Sequence, residues 1–207
     1  MRLQEIKGNY DAIYSLGDLC LASIQLKRHQ LRTFSGVLDW MGSLELANVN
    51  RLLLNRFAGF MEPQHLRIIG YAGTTHVCVS DDAYNIVSNH DFEIGPNSLH
   101  YLGTYPAVKE KFDRRIRRFL EKAKTCNRML FVRTEGSLEE AAELERVLSG
   151  LVVHDFRVLL INHAPVGGIV ELDWPLEKVC TLQFPNVEKW EGNNHLWQQV
   201  LSGISLN

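Results

Sequence analysis

The side chain with the strongest claim to chemistry in this sequence is Cys20. It follows Asp11-Ala12-Ile13-Tyr14-Ser15-Leu16, a mostly apolar run that reads as a buried strand stopped by Gly17. Asp18 is a good N-cap for the next segment, whose apolar positions Leu19, Ala22, Ile24 and Leu26 precede a basic end at Lys27-Arg28-His29. In that frame Cys20 lies in the first helical turn, where free backbone N–H groups and the helix dipole favour a thiolate. Open α/β sheets collect active sites at the carboxyl ends of their strands, and the Gly17 turn puts the thiol there. Backbone N–H groups of that turn, from Gly17 and Asp18 onward, are then candidates to hold the oxyanion of an acyl transfer. Two facts weigh on the other side. Free cysteine is among the most buried residue types, and an Asp18 carboxylate facing the sulfur opposes its ionisation.

A thiol nucleophile needs a base, usually histidine, oriented by a third group. The chain has eight histidines, so their presence alone selects none. His90-Asp91-Phe92 and His154-Asp155-Phe156 share a tripeptide. His90 ends a predicted strand and enters a loop with Gly95, Pro96 and Asn97, a common setting for catalytic side chains. His154 precedes a strand on the approach from a helix, which places it at the opposite, amino end of a parallel sheet. His163, at the carboxyl end of the Arg157–Ile161 strand, is the reserve candidate. No His-x-x-x-His, His-Glu-x-x-His or close Cys/His cluster suggests a metal, and no Gly-x-Gly-x-x-Gly or P-loop suggests a nucleotide. The expectation is a protein with no metal and no cofactor.

Positioning these groups falls to a strand–helix alternation that sharpens along the chain. Beyond the Phe34–Trp40 segment, Ser43 opens a helix with Leu44, Ala47 and Leu52-Leu53-Leu54 on its core face. Between about 65 and 92 the period changes: Leu66–Ile69, His76–Val79 and Tyr84–Val87 are short β-type runs, read as an antiparallel hairpin or meander at a sheet edge. Tyr105 to Lys124 is a long amphipathic helix with Val108, Phe112, Ile116 and Phe119 on one face. Met129–Val132 is a strand, Ser137 caps a helix from Leu138 to Leu148, and strands at Arg157–Ile161 and Lys178–Leu182 precede a last helix at His195–Leu201. The pattern predicts an α/β fold: a three-layer sandwich with a mainly parallel central sheet and the antiparallel insertion, in one domain over residues 1–207.

Composition narrows the class. Forty-five per cent hydrophobic and 22% charged residues is ordinary for a globular chain. A formal net charge of −2 argues against general affinity for nucleic acid or acidic membranes. There is no membrane-spanning apolar run and no signal-peptide pattern, and Cys20, Cys78, Cys126 and Cys180 form no Cys-x-x-Cys pair. A cytoplasmic protein with reduced thiols is expected. The long helix carries a basic stripe that includes Arg114 and Arg118. Such a stripe is ordinarily a solvated face, and it also fits docking of an acidic carrier protein.

Several segments in order resemble a family described as papain-like cysteine peptidases, mostly of bacterial origin. They are Tyr14–Cys20, Leu26-Lys27-Arg28 with Leu31-Arg32, Phe34–Trp40, His90-Asp91-Phe92, Lys111–Phe119, Leu130–Arg133, and a tryptophan-rich end at Trp190-Glu191-Gly192 and Trp197. The family usually has Pro-Phe before Asp-Trp; this chain has Val37-Leu38, an apolar exchange. The resemblance implies Cys20 as nucleophile and His90 as base, with Asp91 or Asp39 as orienting acid. Asp39 serves equally well as a buried acceptor fixing the Asp-Trp turn. The function expected is a thiol hydrolase or acyltransferase acting on a peptide, amide or thioester. The alternative is a non-catalytic accessory module that uses the strand-end cleft and the basic helix to bind a carrier protein or small polar ligand.

Overall fold

A computed structural model describes residues 1–187 and 189–207. In chain order the elements are β1 (Gly8–Tyr10), β2 (Ala12–Ser15), α1 (Leu21–Arg28), β3 (Met41–Gly42), α2 (Leu46–Leu54), β4 (Leu66–Ala72), β5 (His76–Asp81) and β6 (Ile86–Glu93). There follow β7 (Asn97–Ser98), β8 (Tyr101–Leu102), α3 (Tyr105–Thr125), β9 (Arg128–Thr134), α4 (Leu138–Leu151), β10 (Asp155–Ala164), β11 (Val170–Leu172), β12 (Val179–Pro185), α5 (Asn194–Leu201) and β13 (Ile204–Leu206). The protein is mixed α/β, with parallel and antiparallel strands in several sheets.

The largest sheet has the order β11-β12-β10-β9-β2; β2, β9, β10 and β12 are parallel, and β11 is an antiparallel edge. Its strands come from near-continuous aliphatic runs such as Met129–Val132 and Val158–Ile161, all buried, as expected of strands covered on both faces. Alternation divides those side chains. Ile13, Leu130, Val132, Leu159 and Ile161 join Leu21 and Leu26 of α1 and Trp197 and Val200 of α5 in one apolar cluster. Tyr14, Met129, Phe131, Val158 and Leu160 join side chains of α2, α3 and α4, among them Leu52, Phe119 and Leu144, in the other. Each fully buried side chain of this size stabilises the fold by about 1.5–3 kcal/mol.

The meander expected near 65–92 is present as its own antiparallel sheet, β3-β6-β5-β4, and is not an extension of the main sheet's edge. Its inward residues Val77, Val79, Ile86 and Phe92 belong to the larger apolar cluster, so the two sheets share core. Tyr84 and Asn85, read from sequence as strand, lie in the β5–β6 turn. Asp81 pairs with Ile86 across it, and Asn85 takes a left-handed φ of 51°, which asparagine tolerates. β6 therefore continues to Glu93. Val77 pairs with Phe92 and Val79 with Ser88, so Cys78 alone opposes Asn89, His90 and Asp91. This bulge bends β6 and re-aims its side chains.

Two capping assignments fail where the sheets meet. Asp18 is not the N-cap of α1. It has a left-handed φ of 71°, its side chain is buried, and Cys20 itself occupies the cap position without a side-chain cap bond. Ser43 does not cap α2 either; Glu45 holds that place. The Ser43 hydroxyl accepts the Asp18 N–H at 3.1 Å and Arg133 Nη1 at 2.9 Å, and Leu44, expected in the core, is 69% exposed. Arg133 organises this junction from the C-terminal end of β9. Fully buried, it also donates to the carbonyls of Leu16, Ser43 and Glu135. Burial pushes its pKa down to about 10 while Asp18 opposes the shift, so it stays charged at neutral pH.

Candidate active site

The junction carries Cys20 to the mouth between the two sheets. Gly17 makes the turn possible: its φ is +82°, and a Cβ there would lie 2.3 Å from the Ser43 hydroxyl. Thr134 Oγ1 donates to the Gly17 carbonyl, and Ser43 N–H to the Asp18 carbonyl. Held from both sides, the chain enters α1 with the Cys20 carbonyl accepting the Ile24 N–H. Cys20 Sγ then stands 3.7 Å from His90 Nε2, across 70 residues of sequence. For the thiol to donate in this pair, His90 must carry its own proton on Nδ1.

His90 sits within β6, not at its end as the sequence suggested, and its placement follows from the bulge. Its ring meets Trp40 edge-on at 6.0 Å between centroids and His76 of β5 at the same distance. Trp40 is held in turn by the Arg32 guanidinium, 5.2 Å over its ring. Asp39 fixes that guanidinium: its Oδ2 accepts Arg32 Nη1 at 2.6 Å and the Gly36 N–H at 2.8 Å. Asp39 is thus a buried acceptor in the Asp-Trp turn, with no hydrogen bond to His90 among the described residues.

Asp91 does not orient His90 either. Its carboxylate accepts Ser88 Oγ at 2.6 Å and Lys111 Nζ at 2.5 Å, fastening β6 to α3. Neighbouring strand residues face apart, so the carboxylate beside His90 in sequence serves the helix behind the sheet. The N–H groups of Gly17 and Asp18 are likewise occupied, by Ser15 Oγ at 3.2 Å and Ser43 Oγ at 3.1 Å. They hold the turn. By position, the N–H groups with no intrahelical acceptor belong to the first turn of α1, beginning at Leu21.

Burial pushes the Cys20 thiol above its usual pKa, and the nearby negative charge of Asp39 adds to the shift. Both causes disfavour the thiolate that a first-turn position favours. Cys78, Cys126 and Cys180 are unpaired thiols too, each with its pKa raised first by burial. Among the described residues, Cys20 is the cysteine with a histidine hydrogen-bonded to it.

The other candidates lie elsewhere. His154 is exposed before β10, at the amino end of the sheet. His163 is at the carboxyl end of β10, with its Nδ1 2.6 Å from Glu135 Oε1, which Lys189 also approaches at 3.2 Å. On α3, Arg114 is exposed, whereas Arg118 stacks 4.9 Å over Phe34 and helps pack the 34–40 segment. Among the described residues, no group of three or more His, Cys, Asp or Glu is placed to hold a metal, and no helix is long and apolar enough to cross a membrane. Sequence reasoning missed His76 and passed over Trp40 as a site residue. His76 needed the β5–β6 register to be seen, and Trp40 was visible only as a motif letter.

Residues 11–165 match the family described as "putative papain-like cysteine peptidase (DUF1796)". No curated protein and no solved structure matches the chain. The matched span contains Cys20, Asp39, His90 and Asp91 and covers most of the sequence, and the chain belongs to this family.

Proposed function

We propose that the protein is a cysteine-dependent acyl hydrolase or acyltransferase acting on an amide or thioester through Cys20 and His90. The observation that carries this reading is the 3.7 Å approach of Cys20 Sγ to His90 Nε2. The thiol proton passes to Nε2 as sulfur attacks the carbonyl carbon. A C–S bond forms, and N–H groups at the start of α1 are the candidate donors to the developing oxyanion. The imidazolium returns the proton to the departing nitrogen or sulfur as the bond to the leaving group breaks. Water or an acceptor nucleophile then cleaves the acyl-enzyme, with His90 again as base, and the thiol is restored. Trp40 and His76 act as positioning residues, taking the place of an orienting carboxylate.

The same reading takes residues 1–207 as one domain, since side chains of both sheets enter one apolar cluster. It takes the main sheet with its two helical faces as a three-layer sandwich, supported by the two separate clusters on those faces. The test is alkylation by iodoacetamide near neutral pH with intact-mass and peptide readout. Preferential modification of Cys20, lost in His90→Ala, is expected. Labelling of Cys78 with Cys20 untouched in folded protein sinks the proposal.

A second reading, a binding module for an acidic carrier protein, draws on the raised pKa of Cys20 and the exposure of Arg114. It predicts that Cys20→Ser leaves partner binding intact while Arg114→Glu removes it. Arg118→Glu is the poorer probe, because it also unstacks Phe34.

A further inference from the structure

A cavity of about 350 Å³, at the lower end of the size range of small-ligand sites, is walled by the chain neighbours of the Cys20–His90 pair rather than by the pair itself. Its wall includes Leu19, the residue before Cys20, and Asn89, the residue before His90. Gly42, Leu44 and Val87 give it an apolar lining. Leu44 is the side chain left 69% exposed when Ser43 was drawn into the junction, so an apolar surface stands open at the mouth. The charged group on the wall is Glu45, whose carboxylate accepts Asn48 Nδ2 at 2.8 Å. A second cleft, of about 530 Å³, shares Asn89 with the first and is lined also by His76, His90 and Trp190.

We infer that the first cavity is the acyl-group site and selects an uncharged, apolar acyl substituent, while the second receives the leaving group. The inference rests on the acyl-transfer reading above. The acyl carbon bonds to Cys20 Sγ, and the cavity walled by Leu19, the residue before it, offers its substituent an apolar space. The leaving group takes its proton from His90, so it must lie on the imidazole's side. Burying apolar surface against Leu19, Leu44 and Val87 favours such a substituent, and Glu45 repels an anionic one. An apolar side chain next to a peptide carbonyl and a medium-length fatty acyl chain share this chemistry.

Gly42 provides the probe. A Cβ built there meets Val87 and Asn89 only at ordinary contact distances of 3.7–3.8 Å, so a side chain at this position enters the cavity without displacing backbone. The experiment measures kcat/KM on phenyl thioesters in two arms: acetyl to octanoyl, and N-blocked glycyl, leucyl and aspartyl. The wild-type protein is expected to prefer hexanoyl over acetyl, or leucyl over glycyl and aspartyl, by at least about tenfold, a modest step for an apolar pocket. The arm with the larger ratio identifies the source. Gly42→Leu is expected to lower that ratio about tenfold or more, and Gly42→Ala to lower it less.

A binding arm separates the two ideas. In Cys20→Ala protein, N-acetyl-leucinamide and hexanamide should perturb the side-chain amide NMR signals of Asn85 and Asn89, and Gly42→Leu should abolish the response. Binding without turnover in wild type overturns the acyl-transfer reading and keeps the apolar site. Turnover with equal rates along both series, or ligand shifts unaffected by Gly42→Leu, overturns the inference.

Discussion

The two sheets differ in how they are covered, and the difference separates stability from chemistry. β9 and β10 of the main sheet carry the apolar runs Met129–Val132 and Val158–Ile161, buried on both faces and paired in unbroken parallel register. β4 of the antiparallel sheet alternates half-buried and exposed residues along its whole length, and β4, β5 and β6 contain register breaks. The first sheet tolerates no irregularity, because every side chain has neighbours above and below. The second has a free face and can hold a bulge that turns His90 toward a thiol delivered by the first. Active pairs arise readily at such seams: the continuous sheet fixes one partner, and the irregular sheet aims the other.

The comparison breaks most sharply if chemistry does not depend on both sides of the seam. Cys20→Ala is expected to reduce thioester turnover by at least about 10,000-fold, and His90→Ala by about 100- to 10,000-fold. Neither should shift the urea unfolding midpoint far: His90 is exposed, and Cys20→Ala deletes one buried sulfur, at a cost of about 1 kcal/mol. Burst kinetics and urea titration on the same preparations check both halves. Equal losses of stability and turnover would put the pair in the structural class.

Arg133 is the converse case, a polar residue inside the aliphatic sheet that ties the site's turn to the core. Arg133→Met leaves the carbonyls of Leu16, Ser43 and Glu135 without their donor and Asp18 without its nearest buried cation. The expected loss is about 3–5 kcal/mol, read from denaturant unfolding. A loss below about 1 kcal/mol would show that water replaces the guanidinium easily and that the junction is looser than its hydrogen bonds imply.

A smaller effect tests the electrostatics of the seam. Burial first and the charge of Asp39 second hold the Cys20 thiol's pKa up, so Asp39→Asn should let Cys20 ionise somewhat more readily. The pH profile of Cys20 alkylation should then move to lower pH. An unmoved or higher midpoint would mean that Asp39 matters to Cys20 only through Arg32 and Trp40.

An effect absent at neutral pH concerns the main sheet alone. Burial raises the pKa of Cys180 on β12 from 9.0 to about 12. Below pH 9 the thiol is neutral in both folded and unfolded chains and has no effect on the balance. Between about 9 and 12 only the unfolded chain ionises, so this residue's part of the stability is lost as pH rises, with a slope approaching about 1.4 kcal/mol per pH unit. Cys180→Ala should flatten the fall of unfolding free energy above pH 9. An unchanged slope would show that the thiol ionises equally well in the folded protein.

Length and periodicity made the main sheet legible. Buried runs such as Met129–Val132 and the amphipathic spacing of Val108, Phe112 and Phe119 leave few alternatives, because strands covered on both faces must be continuously apolar. The capping of α4 by Ser137, with Glu140 returning the bond, was legible for the same local reason. Asp18 and Ser43 were misread because each looks like a cap locally, yet each is claimed by a partner more distant in sequence. Ser43 serves Asp18 and Arg133, and the left-handed Asp18 is buried beside Thr134.

Cys20 and His90 could be nominated from sequence, since residue type, a glycine turn and a strand-adjacent histidine are local properties. Which carboxylate serves which partner was decided by tertiary structure alone. Asp91 belongs to Lys111, and Asp39 to Arg32, because neighbouring strand residues face apart and a buried charge goes to the nearest cation. The 3.7 Å approach itself depends on a bulge that sets three residues of β6 against one of β5. A single sequence carries no readable sign of that register, because it exists only once two strands, distant from Cys20 along the chain, have paired.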